Sequence, residues 1–375
     1  MSKILASIAC NLEASVLQAS LPLFEAEKVE AIEWSFDTLF QYETIPEWFS
    51  DLLNTFGNAN RLIGHGVFFS LFSAKWTENQ ADWLIYLKKM STEYQFDHIT
   101  EHFGFFTGAD FHNGAPLSMP FTKTTLGLGI DRLKRIQDAC HCPVGLENLA
   151  FAYTLDAVKK HGDFLNQLVE PINGFIILDL HNLYCQMHNF DRAYADIIQS
   201  YPLCKVREIH ISGGRWAVVS THPNKKIRRD THDEAVPKAV FELLEATIPK
   251  CPNLKYVVLE QLGNGLTTWE SQQLFQQDFK KLEEILLKYT SNAAFSNDFM
   301  PKTPIKLNKK PVENKLLYQQ QTQLTMILET AKDYTDARQL LNASTLAHTD
   351  WDIENWPSEM LETAVAIAQK WKNGD

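Results

Sequence analysis

Histidine and carboxylate side chains recur near the C-terminal ends of short apolar runs in this sequence of 375 residues. Seven of eight such runs carry one of these groups, whereas the first run offers only Cys10 and Asn11. With neighbouring amides, the set is Glu33, His65, Glu101, His102, Glu147, Asn148, Asp179, His181, Asn182, Glu208, His210 and Glu260. Burying so many unpaired polar groups at one end of the runs would be too costly for an ordinary apolar core.

Cationic partners are scarce around these groups. Arg207 is the one basic residue close by in sequence, and strand alternation places it opposite Glu208 and His210. Bound metal ions are therefore the simplest source of compensating charge. Oxygen and imidazole ligands without thiolate suit iron, manganese or zinc. Because the groups outnumber the needs of one ion and carboxylates can bridge, we predict two or three ions.

The long loop after the seventh run adds two candidate ligands. In the triplet Asp230-Thr231-His232, the first and third side chains would share one side of an extended segment. Asp179 and His181 repeat this spacing in the sixth run. We expect the loop to fold back so that its two ligands lie over the site.

Several candidates also have an ordinary structural interpretation. Glu33 is equally consistent with a carboxylate that pairs with a helix N-terminus, and Glu208 with one that pairs with a Lys or Arg. We predict that His98 is a core histidine, and His188 stays open as a ligand or a surface residue. The ligand interpretation is favoured most for His65, Glu147, Asp179, His210 and Glu260.

The apolar runs themselves predict the strands that position these groups. They span residues 5–10, 29–36, 61–69, 97–105, 142–149, 174–182, 206–213 and 256–263. Segments with apolar residues at helical spacing lie between them. This alternation predicts an α/β fold, and eight units predict a closed (β/α)₈ TIM barrel, whose active sites lie at the C-terminal strand ends. A doubly wound open sheet is the alternative, but its glycine-rich phosphate loop is missing from the sequence.

Three regions follow from these patterns. The barrel with its metal site is predicted over residues 1–290, and a linker or wrapping segment rich in Asn, Pro and Lys over 291–315. Helical periodicity resumes over 316–375 and predicts a small C-terminal helical appendage. Its Trp351, Trp356 and Trp371 either dock a peptide or partner protein, or pack the appendage onto the barrel, which we favour.

Charge and composition exclude several classes of function. A net charge of −11 argues against nucleic-acid and anionic-membrane partners. No apolar run is long enough to span a bilayer, and the N-terminus is typical of a strand rather than a signal peptide, so we expect a cytoplasmic protein. The six cysteines are then expected to be free thiols. We predict a structural role for the run 140–142, Cys-His-Cys, because it lacks a second cysteine pair at zinc-finger spacing.

Seven strings, taken together, resemble the multinuclear non-heme iron-dependent oxidative enzymes, the family that includes the methanobactin biosynthesis oxidase. They are GHGVFFS, ITEHFGF, VGLENLA, ILDLHNLY, EIHISGG, RDTHDEAVP and VVLEQLGN, in order over residues 64–264. The family's fold is a (β/α)₈ barrel akin to xylose isomerases. This chain departs from the family's usual Asp-x-Asn-Asn string, because His181 stands at the first Asn position. Its first strand also lacks the family's glycine-rich opening.

The resemblance implies two or three iron ions and a set of ligands on this chain. The ligands would be His65, His102, Glu147, Asp179, His210, Asp230, His232 and Glu260, with a further contact from His181 or Asn182. The side chains expected to support them are Glu33, Glu101, Asn148 and Glu208. The activity implied is oxidation, with iron and O₂, of cysteine residues in a ribosomally made peptide, often presented by a partner protein. One iron would hold the cysteine thiolate, a second would react with O₂, and hydrogen would leave the cysteine β-carbon.

Two other functions are compatible with the same residues. A zinc or manganese barrel enzyme, such as a sugar isomerase or a phosphodiester hydrolase, would use similar ligands. An isomerase usually has a lysine at a strand end, and a nucleic-acid hydrolase a basic mouth, whereas here the basic residues gather only within 225–229. The second alternative is a non-catalytic, metal-bound adaptor that binds a partner.

Overall fold

The protein forms a closed parallel barrel in a computed structural model that describes residues 3–40, 44–107, 114–289 and 295–373. The strands are β1 Leu5–Ala9, β2 Ala31–Trp34, β3 Leu62–Gly66, β4 Phe96–Glu101, β5 Val144–Glu147, β6 Phe175–Asp179, β7 Val206–Ile211 and β8 Tyr256–Leu259. Each strand pairs with the next along the chain, and β8 closes onto β1. The predicted (β/α)₈ TIM barrel is confirmed.

Helices connect the strands and cover the barrel. They are α1 Ala14–Glu25, α2 Glu47–Asn58, α3 Glu78–Glu93, α4 Lys123–Cys140, α5 Leu155–Val169, α6 Leu180–Asn189, α7 Tyr194–Ile198, α8 Lys238–Thr247 and α9 Trp269–Leu286. Four of them begin after a threonine whose side chain accepts a backbone N–H of the first turn, namely Thr77, Thr122, Thr154 and Thr268. These caps accept hydrogen bonds from backbone N–H groups that have no partner within the helix. They therefore fix the residue at which each loop ends and its helix begins.

The strands end earlier than the apolar runs predicted. The sixth run was expected to stay extended to residue 182, but β6 ends at Asp179 and a helix begins at the next residue. Asp179 Oδ1 accepts a hydrogen bond of 2.5 Å from the backbone N–H of Asn182 and thereby caps this helix. The prediction that His181 lies on the strand is therefore wrong, because the aspartate cap turns the chain into a helix. His102 and Glu260 likewise follow directly after their strands.

Alternate strand positions separate the inside of the barrel from the face that packs against the helices. An interior apolar cluster consists of Leu5, Ala9, Ala31, Ile63, Tyr256 and Val258. Phe299, from the segment after the barrel, is fully buried against Phe175, with ring centroids 5.6 Å apart. The core of the barrel also holds the buried polar residues His98 and Glu208, which lie on β4 and β7.

Three helices follow residues 295–314, which contain neither helix nor strand. They are α10 Lys315–Thr330, α11 Tyr334–Asn342 and α12 Ser358–Asn373, so the predicted helical appendage is present. The side chain of Gln321 bonds the backbone of Phe72 and Ala74 on the barrel, at 2.8 and 2.9 Å. Trp351 and Trp356 are buried, which agrees with the favoured packing interpretation, whereas Trp371 is partly exposed. Among the described helices, none is both long and apolar enough to cross a membrane.

Candidate metal centre

Closure of the barrel gathers the candidate ligands at its C-terminal end. Among the described residues, four groups of three ligand-type side chains have their ligand atoms within 4.8 Å of one another. One is Glu33–Glu208–His210, and the other three are triads of candidate ligands that overlap through shared carboxylates. The triads are His65–His102–Glu147, Glu147–Asp179–His210 and Asp179–His232–Glu260. Glu147 belongs to the first two and Asp179 to the last two, as expected of carboxylates that bridge neighbouring ions.

Hydrogen bonds set the orientation of the two histidines in the first triad. His65 Nδ1 lies 2.7 Å from the hydroxyl of Thr100, which itself donates to a backbone carbonyl, so the imidazole must donate to Thr100. His102 Nδ1 donates to Gly66 O at 3.0 Å. In both rings, Nε2 therefore keeps its lone pair. These two Nε2 atoms lie 3.6 and 3.3 Å from Glu147 Oε2.

His210 has carboxylates behind it. Its Nε2 lies 3.1 Å from Glu33 Oε2 and 3.4 Å from Glu208 Oε1. Its Nδ1 lies 3.7 Å from Glu147 Oε1 and 3.3 Å from Glu260 Oε2. Metal-binding histidines usually donate one ring N–H to a carboxylate and direct the other ring nitrogen toward the metal. His210 has this arrangement, because its other nitrogen faces a cluster of carboxylate oxygens.

Two amides position the residues that carry the shared carboxylates. Asn148 Oδ1 accepts from the backbone N–H of Asp179 at 2.7 Å, and Asn148 Nδ2 donates to Asp179 O at 3.1 Å. Asn182 Nδ2 lies 2.8 Å from Asn148 O and 3.4 Å from Glu147 Oε1. Asn148 and Asn182 therefore orient Glu147 and Asp179 from neighbouring elements.

The loop after β7 reaches the cluster through Asp230 and His232. Asp230 Oδ1 lies 2.8 Å from both His181 Nδ1 and His232 Nε2, and His232 Nδ1 lies 3.2 Å from Glu260 Oε1. His232 has φ of 52°, so the segment is not extended as predicted, although the two side chains meet. His181 Nε2 accepts from Arg228 Nε at 3.1 Å, so both of its ring nitrogens have protein partners.

Several buried ligand atoms lack a hydrogen-bond partner within the described part of the chain. They are His65 Nε2, Glu147 Oε2, Asp179 Oδ2 and His210 Nδ1. Buried polar atoms in folded proteins are nearly always bonded, and here four converge on one place. This donor set fits metal ions bound among them.

Burial dominates the electrostatics of the cluster. It raises the pKa of Asp179 to about 7 and the pKa of Glu147 well above its usual value. It lowers the pKa of His65 well below the usual value for histidine. Burial also opposes protonation of His210, but Glu33, Glu208 and Glu260 together outweigh it and hold the pKa of His210 well above its usual value. Without a cation, these carboxyl groups compete for protons, and a bound metal would supply the missing positive charge.

Glu208 links the cluster to the core. Its Oε2 lies 2.7 Å from His98 Nε2, and His98 Nδ1 lies 2.9 Å from Asp97 Oδ2, which also bonds Arg207. Burial alone would raise the pKa of Glu208, but His98 and His210 lower it to about 2. His98 is thus a paired core histidine, as predicted, and Glu208 pairs with histidines rather than with a Lys or Arg.

Two other candidates turn away from the cluster. The carboxylate of Glu101 accepts from the backbone N–H of His102 at 3.1 Å, and burial, with Asp37 nearby, holds the pKa of Glu101 well above its usual value. A Cβ atom at Gly66 would lie 2.2 Å from Glu101 Oε2, so a larger residue there would require the Glu101 carboxylate to move. His188 is an exposed residue of α6 whose ring contacts Trp216.

An open cavity of about 350 Å³ lies over the cluster. The barrel contributes His102, Glu147 and Glu260 to its lining, and α12 contributes Thr363, Ile367, Lys370 and Trp371. Sequence reasoning missed this contribution of α12, although the spacing of the four residues places them on one helix face. It also missed Thr100, whose signal was its position on β4 two residues before His102, which directly follows that strand.

A family model described as RiPP precursor modification enzyme MbnB/TglH/ChrH matches residues 31–271, which include every candidate ligand. Curated relatives include UPF0276 proteins of Pasteurella multocida and Paraburkholderia phytofirmans. The first is 26% identical over 195 residues, which cover 47% of this chain and 63% of the relative. The second is 28% identical over 175 residues, covering 44% and 55%. The aligned part therefore spans less than two thirds of each relative.

Solved structures share the fold. A xylose isomerase-like TIM barrel/4-hydroxyphenylpyruvate dioxygenase fusion protein aligns with a TM-score of 0.50 at 16% identity, over 78% of this chain and 46% of that one. A xylose isomerase domain protein from Planctomyces limnophilus aligns with a TM-score of 0.49 at 14% identity, over 76% of this chain and 98% of that one. At 16% identity, the likeness to the fusion protein shows the barrel fold alone.

Proposed function

Because this chain belongs to the MbnB/TglH/ChrH family of RiPP precursor modification enzymes, we propose that it is an iron-dependent oxidase that uses O₂ to modify cysteine residues of a ribosomally made peptide. The observation that carries the metal part of the proposal is the convergence of four buried, unpartnered ligand atoms. The peptide part rests on the family. Presentation of the peptide by a partner protein belongs to the same proposal.

The three triads give the proposed metal positions. His65, His102 and Glu147 would hold one ion, and Asp179 and His210 would join Glu147 around a second. Asp179, His232 and Glu260 would hold a third. Iron bound there would lower the pKa of a cysteine thiol and supply the electrons that reduce O₂.

The protein's own groups would prepare the ligands. Thr100 and the backbone of Gly66 keep Nε2 of His65 and His102 unprotonated by accepting from the opposite ring nitrogen. Glu33 accepts the Nε2 proton of His210, which leaves Nδ1 for an ion. We propose that His181, whose two nitrogens are engaged, positions Asp230 rather than binding metal.

The cavity over the triads suits a short stretch of peptide. Its volume of about 350 Å³ is that of a small-ligand site, and apolar residues such as Phe106, Phe151 and Leu262 line it beside the ligands. These apolar walls would limit the access of water to a bound cysteine side chain. They would also contact the peptide residues on either side of that cysteine.

The test is metal content per chain after purification without oxygen, with Mössbauer and EPR spectra of the same sample. Two or three irons per chain, coupled through bridging ligands, are expected. The reduced protein should then consume O₂ faster with cysteine peptides than with their serine counterparts. Zinc or manganese alone, with iron failing to bind on reconstitution, would contradict the proposal and favour a hydrolase or an isomerase. Bound iron without peptide-dependent O₂ consumption would favour an adaptor.

A further inference from the structure

Three cationic residues line the cavity of a chain whose net charge is −11. Arg228 and Arg229 come from the loop after β7, and Lys370 comes from α12. The candidate ligands below them are carboxylates and imidazoles. If the cavity only held metal ions, cations on its wall would oppose that role, so their presence indicates another ligand.

Arg228 is held in place and lacks one acceptor. It is 4% exposed, and Asn189 bonds its backbone N–H and C=O at 2.8 and 3.0 Å. Its Nε donates to His181, and its Nη1 lies 3.9 Å from Glu234, which is beyond hydrogen-bond distance. Its Nη2 is buried and has no hydrogen-bond partner in the described structure. A buried guanidinium nitrogen without an acceptor is unfavourable, and an anionic ligand would relieve this.

Arg229 and Lys370 are also available to a ligand. Neither side chain has a hydrogen bond or an ion pair with the described residues, whereas some neighbouring cations are paired. Lys225, for example, bonds Glu359 at 2.8 Å.

We propose that Arg228, Arg229 and Lys370 form an anion subsite that binds a carboxylate of the substrate peptide beside the cysteine to be modified. This inference rests on the proposed function for its peptide. Arginine forks match the two oxygens of a carboxylate, and a lysine adds a point charge. The carboxylate is either the C-terminus of the peptide or an Asp or Glu side chain close to the cysteine.

The subsite joins two parts of the chain. Lys370 lies outside residues 31–271, the range that the family model matches. Trp371, its neighbour, is 39% exposed and lines the same cavity. Helix α12 would therefore select among peptides that the barrel alone would accept.

Binding of four short peptides to the metal-loaded full chain, measured without O₂ by calorimetry, tests the subsite. The first pair is acetyl-Gly-Cys-Gly as free acid and as amide, and the second is acetyl-Gly-Cys-Asp-amide and acetyl-Gly-Cys-Asn-amide. We expect the carboxylate member of at least one pair to bind about tenfold more tightly, and the pair that discriminates identifies the source of the carboxylate. Equal affinities within both pairs, or no binding of any carboxylate peptide at millimolar concentration, would overturn the subsite.

Variants assign the effect to residues. Arg229→Gln and Lys370→Gln should each remove most of the preference, whereas Lys226→Gln and Lys372→Gln, exposed neighbours on the same two elements, should keep it. If Arg229→Gln also loses metal, its peptide affinity no longer reports on the subsite alone. Lys370→Gln then provides the test, because α12 carries no candidate ligand. Serine versions of the peptides separate the two proposals. A carboxylate preference that persists with serine supports the subsite even if oxidation of cysteine fails.

Discussion

Glu147 Oε2 and His102 Nε2 lie 3.3 Å apart at the mouth of the barrel, and each presents a lone pair to the other. The proton of His102 is on Nδ1, where it is donated to Gly66 O. Two acceptors at this distance, of which Glu147 is buried and His102 partly buried, repel unless a cation lies between them. In the metal-free protein the cation would be a proton, which agrees with the raised pKa of Glu147.

Substitution of Glu147 tests its shared position. Because it belongs to two triads, Glu147→Gln should lower metal content by one to two ions per chain while the barrel stays folded, as measured by elemental analysis and circular dichroism. Glu101→Gln is the matched control, since Glu101 is an equally buried carboxyl on the neighbouring strand and belongs to none of the triads. Full metal content in Glu147→Gln, or equal loss in both variants, would contradict the assignment.

The appendage should stabilise the loop that carries Asp230 and His232. Glu362 of α12 accepts from the backbone N–H groups of Ser220 and Thr221 at 2.6 and 2.9 Å. Hydrogen bonds to a charged group contribute roughly 2 kcal/mol each, so Glu362→Ala should let the loop open more often. We expect several-fold faster trypsin cleavage within residues 215–229, and a loss of metal confined to about one ion.

Glu284→Ala, which removes an exposed carboxylate of α9, is the control for this experiment. Cleavage at the wild-type rate in Glu362→Ala would show that other contacts hold the loop.

The stack of Trp356 on Tyr153 should stabilise the docking of the appendage. The rings are 3.8 Å apart and nearly parallel, and Trp356 Nε1 donates to Trp351 O at 2.9 Å. Loss of this buried side chain in Trp356→Ala should lower the free energy of unfolding by about 3–5 kcal/mol. Trp269→Ala, at a site 72% exposed, should change it by less than about 0.5 kcal/mol. Urea unfolding measures both, and equal effects would mean that the stack is not what holds the appendage.

His161 should make the metal-free protein less stable in acid. Its Nε2 accepts from the backbone N–H of Leu149 at 3.3 Å, and burial lowers its pKa to about 3. The unfolded chain takes up a proton below pH 6.5, whereas the folded chain does not until pH 3. Stability from this group is therefore present above pH 6.5 and is lost as pH falls toward 3, by about 2 kcal/mol between pH 7 and 5.

His161→Gln keeps an acceptor for Leu149 and removes the titrating ring. Urea unfolding of metal-free protein at pH 7 and 5 should therefore show a smaller difference for the variant than for the wild type. The same difference in both would rule out His161 as a source of the acid sensitivity. Metal must be absent, because metal binding itself depends on pH.

The sequence by itself determined the barrel fold and the end of the barrel at which the candidate ligands lie. Apolar runs alternating with amphipathic segments are local patterns, and their periods of about two and 3.6 residues report which face of each element is buried. Parallel strands put their C-terminal ends together, so His65, Glu147 and Asp179 were bound to meet once eight strands were recognised. The sequence also shows that His181 replaces the first Asn of the family's string, but it does not show that His181 pairs with Asp230 and Arg228.

Only the tertiary structure decided how these side chains share their partners. Which carboxylate belongs to two triads depends on the stagger and tilt of strands in the closed barrel, which no local pattern records. Thr100 orients His65 from the neighbouring strand, and Arg228 engages His181 from a loop 47 residues away. Lys370 reaches the cavity because α12 packs over the mouth of the barrel. Contacts between residues distant in sequence form only when the whole chain folds, and they determine which nitrogen of each imidazole is free and which cations face a ligand.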